Sequence, residues 1–194
     1  MDIIASIKKL DTEIFLFFNS KHTPFFDTVM AAASGKYTWI PVYAFLLFLV
    51  FRFVGKHIWL VAISVALLIL ASDQASVHLF KNVFLRYRPC HNLLIKDIMH
   101  LNGSCGGTYG FVSSHAANTF ALAMFLALFF KNRINYFGVY IFIWAAFVSY
   151  SRIYNGVHYP ADIAVGALLG MFIGWAIYKL YLLVNMKLQE QELD

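Results

Sequence analysis

"SRIYNGVHYPADIAVGALLGMFIGWAIYKLYLL", residues 151–183, joins a charged, polar loop directly to an unbroken apolar run. The run from 163 to 183 has about the ~20 residues a helix needs to cross a bilayer. Pro160 suits the first turn of that helix, which sets His158 just before it and Asp162 in its opening turn. Asp162 can then reach back to His158 and fix its tautomer and orientation. Equally, an acid in a first turn is ordinary helix-dipole chemistry. Arg152 stands across the loop with forked donors suited to phosphate oxygens.

Outward from this stretch, the chain repeats the pattern. Further apolar runs cover residues 38–53, 57–80, 116–130 and 134–148. With 61% hydrophobic and only 13% charged residues and a mean hydropathy of +0.68, the 194 residues are too apolar for an ordinary soluble domain. Several runs fall short of ~20 residues, so polar ends such as 72–78 and 149–152 must complete the crossings, facing protein or a wet cavity. The expected fold is all-α: a polytopic transmembrane bundle of five to six spans forming one domain over residues 1–194, with a catalytic core at 37–185.

Residues 1–36 form the N-terminal segment. Its first fourteen residues carry Asp2, Lys8, Lys9, Asp11 and Glu13 between apolar positions, which reads as an amphipathic interfacial helix and not as a secretory signal. Residues 24–33 either continue that helix or contribute to a short sixth span interrupted by Asp27 and Lys36.

If the runs alternate, the link Arg52–Lys56, the link Lys131–Arg133 and the tail with Lys179 and Lys187 share one side. By the positive-inside tendency that side is the cytoplasm. The loops at 81–114 and 149–160 then share the outer face, yet they carry Lys81, Arg86, Arg88, Lys96 and Arg152. A site for an anion explains the exception.

Two more motifs lie on that face. In "KNVFLRYRP", residues 81–89, Lys81 and Arg88 are about two helical turns apart and share a face if the helix continues nearly to Pro89; snorkelling at a helix end is the plain alternative. In "FVSSHAAN", residues 111–118, Ser113 or Ser114 can cap a helix starting near Ala116. The free amides and serine hydroxyls at such a start suit phosphate, and His115 beside them can move a proton. An ordinary cap with an interfacial histidine is the alternative reading. Ionisable groups at a membrane cost ~2.5–3.5 kcal/mol each to insert, which favours chemistry over coincidence.

Lysine, six residues, Arg-Pro; a Ser-His pair resembling Pro-Ser-Gly-His; and Ser-Arg, five residues, His, three residues, Asp: in this order the motifs resemble the three-part signature of the type 2 phosphatidic acid phosphatase superfamily. These membrane lipid phosphatases share an active-site layout with vanadium haloperoxidases. The resemblance runs from Asp73 to about Gly170, with Val112 and Ser114 standing where the family has proline and glycine. It implies that His158 is the nucleophile, that Asp162 orients it, and that His115 is the general acid and then the base for water. It further implies that Lys81, Arg88, Ser113, the Ser114 amide and Arg152 hold the phosphoryl oxygens, with no metal and no cofactor. The implied partners are a phosphorylated lipid and the bilayer, with no nucleic acid and no obligatory protein partner.

The implied setting is a bacterial inner membrane with the site facing the periplasm. "RPCHN" followed by "CGGTYGFVSSHAANTFA" resembles a bacterial subgroup some of whose members dephosphorylate lipid A. Undecaprenyl diphosphate, phosphatidylglycerophosphate and phosphatidic acid are the alternative substrates, and a non-enzymatic lipid-phosphate scaffold is the alternative class.

Cys90 and Cys105 are the only cysteines. Both fall in the loop assigned to an oxidising face, which favours a disulfide. A zinc site from Cys90, His91, His100 and Cys105, or two free thiols, are the other options. In the helix before Lys81, the polar residues Asp73, Gln74, Ser76 and His78 can support the basic groups, and Asn118 can orient His115.

Overall fold

The computed structural model describes residues 3–191; Met1, Asp2 and residues 192–194, the two ends of the domain read from sequence, lie outside the described residues. Its helices are α1 (Ile3–Asn19), α2 (Pro24–Ser34), α3 (Ile40–Val54), α4 (Ile58–Gln74), α5 (Asn82–Phe84), α6 (Ser114–Phe130), α7 (Phe137–Tyr154) and α8 (Pro160–Gln191). Among the described residues the extended pairing is a single bridge, Tyr87 with Tyr109. The chain is an all-α membrane helix bundle.

The stretches Ile40–Phe84, Phe137–Tyr154 and Pro160–Gln191 are long and apolar enough to cross a membrane, and Ser114–Phe130 is a shorter apolar helix. The first stretch turns back at Gly55, whose φ of 53° favours glycine. Leu46 and Val50 of α3 and Val61 and Val65 of α4 therefore line one cavity together. Each apolar run read from the sequence thus has its own helix.

At the centre stands α6, buried on all sides at Ala116, Ala117, Ala121, Leu122, Phe125, Leu126 and Phe129, as expected of a helix apolar all round. Its closest neighbour is α8. Gly166, Gly170 and Gly174 recur every four residues along the facing stripe of α8. A Cβ at Gly170 or Gly174 would run into the carbonyl oxygens of Ala117 or Ala121. Small residues at this spacing let membrane helices pack backbone to backbone.

Residues 24–34 neither continue the first helix nor are long enough to form a span by themselves. Pro24 opens α2, the Thr23 hydroxyl accepts from Phe26 N at 3.3 Å, and 11 residues rise only ~16 Å, about half the hydrocarbon thickness. The helix docks on α7 instead, where Asn155 Nδ2 donates to Met30 O at 3.0 Å and to Ser34 Oγ at 2.8 Å. The N-terminal α1 turns Asp11, Phe15 and Asn19 inward and leaves Ile3, Ile7 and Leu10 exposed. Asn19 clamps the long loop: its Nδ2 donates to His100 O and Tyr154 O, both at 2.9 Å, and its Oδ1 accepts from His100 N at 2.7 Å.

Candidate active site

Lys81 reaches the site from the continuation of α4. Residues Ala75–Lys81 are wound as a π-helix, a wider turn than α, and Lys81 Nζ donates to Ser114 Oγ at 2.5 Å. Ser114 Oγ also pairs with Ser76 Oγ at 2.6 Å. Of the polar residues preceding Lys81, Ser76 is thus the one bonded to the site, while Gln74 and His78 are exposed. Asn118 does not bond His115: its Oδ1 accepts from Ser72 Oγ at 2.6 Å, tying α6 to α4.

The helix does not run on to Pro89. It ends after Phe84 at Leu85, whose φ is 46°. Pro89 disfavours helix at the residue before it, and Arg88 is extended (φ −65°, ψ 157°). The shared helical face expected for Lys81 and Arg88 is therefore corrected: they converge from a helix and an extended loop segment. Arg88 N donates to Thr108 O at 3.1 Å and Gly110 N to Arg86 O at 2.9 Å, pinning that segment to the other end of its own loop.

Ser113 caps α6, accepting from Ala116 N at 3.4 Å, and is fully buried. Its backbone N donates to Asp162 O at 3.0 Å, joining the starts of α6 and α8. Pro160 begins α8 and Asp162 lies in its first turn, as the spacing predicts. His158 is 1% exposed and Asp162 0%. The His158 Nδ1 lies 3.3 Å from Asp162 Oδ2, which also accepts from Tyr159 N at 3.0 Å. On the other side of the ring, Nε2 lies 3.2 Å from Arg88 Nη1. A ring with its Nδ1 proton toward Asp162 leaves the Nε2 lone pair toward Arg88.

Burial above all, with the nearby Arg88 and Arg152 charges, pushes the His158 pKa down to about 4 against the opposing pull of Asp162. Burial likewise lowers the Arg88 pKa, with Asp162 resisting. His115 is within electrostatic reach of Arg152, His158 and Arg88. Arg88 Nε and Arg152 Nε are buried without a hydrogen-bond partner. Buried donors left open in this way fit an anion whose oxygens would accept from them. The residues singled out in all three motifs are therefore gathered at one end of the bundle.

Two residues that the sequence reading did not assign to the site also belong to it. Arg86 Nη1 donates to Asp162 Oδ1 at 2.9 Å and its Nη2 to Asp11 Oδ2 at 2.6 Å. In an extended strand residues two apart share a face, so reading "RYRP" as extended would have paired Arg86 with Arg88. Gly110 is the second: a Cβ there would meet Arg88 Cγ at 3.0 Å and Asp162 Oδ2 at 3.2 Å.

Cys90 and Cys105 are joined as a disulfide, with Cα atoms 6.1 Å apart, two residues after Arg88. His91 shares their neighbourhood, its ligand atom and the two sulfurs lying within 4.8 Å of one another. His100 does not join this group. Its Nε2 pairs with Asp27 Oδ1 at 2.8 Å and its ring stacks on His22 at 3.9 Å.

Beside the charged cluster lies a largely apolar cavity of about 770 Å³ between α3, α4, α6 and α7. Tyr43, Val65, Leu122 and Trp144 line it, and His115 and Asn118 meet it at the start of α6.

Comparison with known proteins gives a consistent picture. Residues 62–185 match the model of the PAP2 superfamily. The chain is 38% identical over 91% of its length to a lipid A 4'-phosphatase of Bacteroides thetaiotaomicron, covering 79% of that protein. It is 35% identical over 91% of its length to a lipid A 4'-phosphatase of Porphyromonas gingivalis, covering 75% of it. The fold superposes on the transmembrane PAP2-type phosphatidylglycerolphosphate phosphatase from Bacillus subtilis with a TM-score of 0.69, at 18% identity, over 90% of this chain and 86% of that one. Motifs, helix arrangement and relatives agree, and the chain belongs to the PAP2 superfamily of phosphatases.

Proposed function

We propose that this chain, acting as one domain, removes a phosphate from lipid A at the periplasmic face of a bacterial inner membrane, through a phosphohistidine. The observation that carries the chemistry is His158, buried with Nδ1 toward Asp162 and Nε2 toward Arg88. In the first step Nε2 forms a bond to phosphorus as the bond from phosphorus to the lipid oxygen breaks. His115 gives that oxygen its proton, so the lipid leaves as an alcohol. His115 then takes a proton from water, whose oxygen displaces His158 and yields inorganic phosphate. Lys81, Arg88, Arg152, the Ser113 hydroxyl and the Ser114 amide hold the equatorial oxygens and offset their charge. Drawn this way, the reaction requires neither metal nor cofactor.

Relatives named as lipid A 4'-phosphatases support the substrate. The cavity beside His115 supports a lipid substrate in general, since it offers apolar room next to the charged cluster, and the choice of lipid A rests on the relatives. Ser114 fits the same reading: it is the first residue of α6, where backbone amides lack partners within the helix, and its hydroxyl accepts from Lys81.

The test is phosphate release by purified protein in detergent, with EDTA present, from lipid A, undecaprenyl diphosphate, phosphatidylglycerophosphate and phosphatidic acid. Release from lipid A far above the rest is expected, abolished in His158→Ala while lipid binding stays measurable. Normal turnover in that variant would refute the mechanism, and preference for another lipid would refute the substrate.

A further inference from the structure

The proposed mechanism uses Asp162 only through His158, yet the carboxylate has a second set of partners. Asp162 is 0% exposed. Its Oδ2 serves His158 Nδ1 and Tyr159 N, and its Oδ1 accepts from Arg86 Nη1 at 2.9 Å. A carboxylate this deep needs close compensation for its charge. Arg86 supplies it, and Arg86 is in turn held on three sides. Its Nη2 donates to Asp11 Oδ2 at 2.6 Å. Its guanidinium lies over the Tyr159 ring at 4.1 Å. Its backbone oxygen accepts from Gly110 N at 2.9 Å.

Asp11 has a second contact as well: its Oδ1 accepts from Ala161 N at 2.9 Å, in the first turn of the helix that carries Asp162. It is 7% exposed, on an α1 face that otherwise packs Phe15 against Tyr159. The three groups carry formal charges of minus, plus and minus, so the trio as a whole is negative.

We propose that Arg86 and Asp11 are positioning residues for the His158–Asp162 pair: Arg86 fixes the rotation of the Asp162 carboxylate, and Asp11 offsets the charge of Arg86. Asp162 then acts on the imidazole with its negative charge undiminished. This matters when His158 bonds to phosphorus, because the ring gains positive charge that Asp162 must balance. An arginine paired with Asp162 alone would cancel part of that field. The N-terminal helix α1 thereby belongs to the active site as well as to the membrane surface. The inference rests on His158 as the attacking group.

Removing either residue disturbs geometry, but the two removals change the field at His158 in opposite senses. Arg86→Gln takes away a positive charge, so His158 protonates more readily and the acid limb of kcat/KM moves to higher pH. Asp11→Asn takes away a negative charge, so the limb moves to lower pH. The other charged or titratable groups facing His158 are Arg88 from the loop before α6, His115 from α6 and Arg152 from α7, and none is altered in these variants.

The experiment measures kcat, KM and the pH dependence of kcat/KM for lipid A dephosphorylation by wild type, Arg86→Gln, Arg86→Lys, Asp11→Asn and Asp162→Asn, with melting curves for each. Expected is a fall in kcat of roughly 10–100-fold for Arg86→Gln, taking as a guide the loss seen when an outer partner that orients a metal-site ligand is removed. Asp11→Asn should lose about tenfold, KM should change little, and the limbs should move apart. Arg86→Lys keeps the charge without the planar fork, so its limb should return toward wild type while kcat stays low. If Arg86→Gln does not fold, Arg86→Lys and Asp11→Asn carry the test. A kcat within twofold of wild type, or losses with the limbs unmoved or moved together, would overturn the proposal. If wild type ignores lipid A but hydrolyses another phosphorylated lipid, only the substrate reading fails, and the same ratios are taken on that lipid. Wild-type silence on all of them removes His158 as nucleophile, and this proposal with it.

Discussion

Gly110 is the position where one added methyl group tests the geometry of the whole site. A Cβ built there meets Arg88 Cγ at 3.0 Å, Asp162 Oδ2 at 3.2 Å and His158 Nδ1 at 3.4 Å, inside the ~3.5–4.0 Å at which carbon contacts are comfortable. Relief needs movements on the order of half an ångström in several groups at once, one of them the fully buried Asp162. Overpacking of this kind costs about 1–3 kcal/mol of stability. Since ~1 Å of misplacement at reacting groups costs ~10²-fold in rate, Gly110→Ala should lower kcat roughly tenfold, with a modest fall in melting temperature. Gly107→Ala is the control: it lies three residues away in the same loop, and its Cβ would meet nothing within 4 Å. Phosphate release and thermal melting of both variants decide the matter. Gly110→Ala with kcat within twofold of Gly107→Ala would refute the close packing of His158, Asp162 and Arg88.

The remaining predictions concern pH, the disulfide and the helix seam. His158 must be neutral to attack, and with its pKa pushed down to about 4 it is only a few per cent protonated at pH 5.5, where an ordinary histidine would be roughly nine-tenths protonated; the acid limb of kcat/KM should fall near pH 4 and not near 6.5. The same depression makes stability full above about pH 6.5 and diminishing as pH falls toward 4, because the unfolded chain takes up the proton first, which melting at stepped pH would read. Cys105→Ser opens a bridge spanning 15 residues and should cost about 3 kcal/mol; unchanged melting would show the bridge to be dispensable. Gly170→Ala drives a methyl into the Ala117 carbonyl, so it should reduce the yield of monodisperse protein more than Gly110→Ala does, as judged by size-exclusion chromatography.

The helices were legible because hydrophobic runs in a membrane chain have little freedom to be anything else. The His158–Asp162 pair was legible for a similar reason: Pro160 fixes where α8 starts, and i, i+4 spacing does the rest. What escaped were features set by partners distant in sequence. Asp11 read as one charge on an amphipathic helix because nothing near it indicates a contact with Arg86, 75 residues on. Arg86 stands among the outer-face cations, but a helical count of "KNVFLRYRP" sets it off the face shared by Lys81 and Arg88, while the chain leaves the helix at Leu85. A π-helical stretch just before Lys81 further shifts any count based on α-helical turns. The residues 24–34 are ambiguous in the sequence because what the 11-residue apolar helix packs on is set by Tyr154 and Asn155, at and just beyond the end of α7, more than 120 residues away.

The seam between α6 and α8 links packing to chemistry most directly. Gly166 lies where a Cβ would sit 2.8 Å from Ser113 O, and one turn earlier Asp162 O accepts from Ser113 N at 3.0 Å. The stripe that lets two membrane helices touch backbone to backbone therefore ends at the point where the cap of α6 meets the acid of α8. Spacing the helices by the width of a side chain would separate Ser113 and the amides of α6 from Asp162 and the imidazole it holds, and an anion could no longer meet both. In a bundle whose interior gains little from hydrophobic exclusion, this close approach is both what holds the central helices together and what brings the proposed nucleophile to its anion cradle. A substitution deep in the stripe, at Gly174, should consequently reach activity through the register of the two helices although it touches no group of the site.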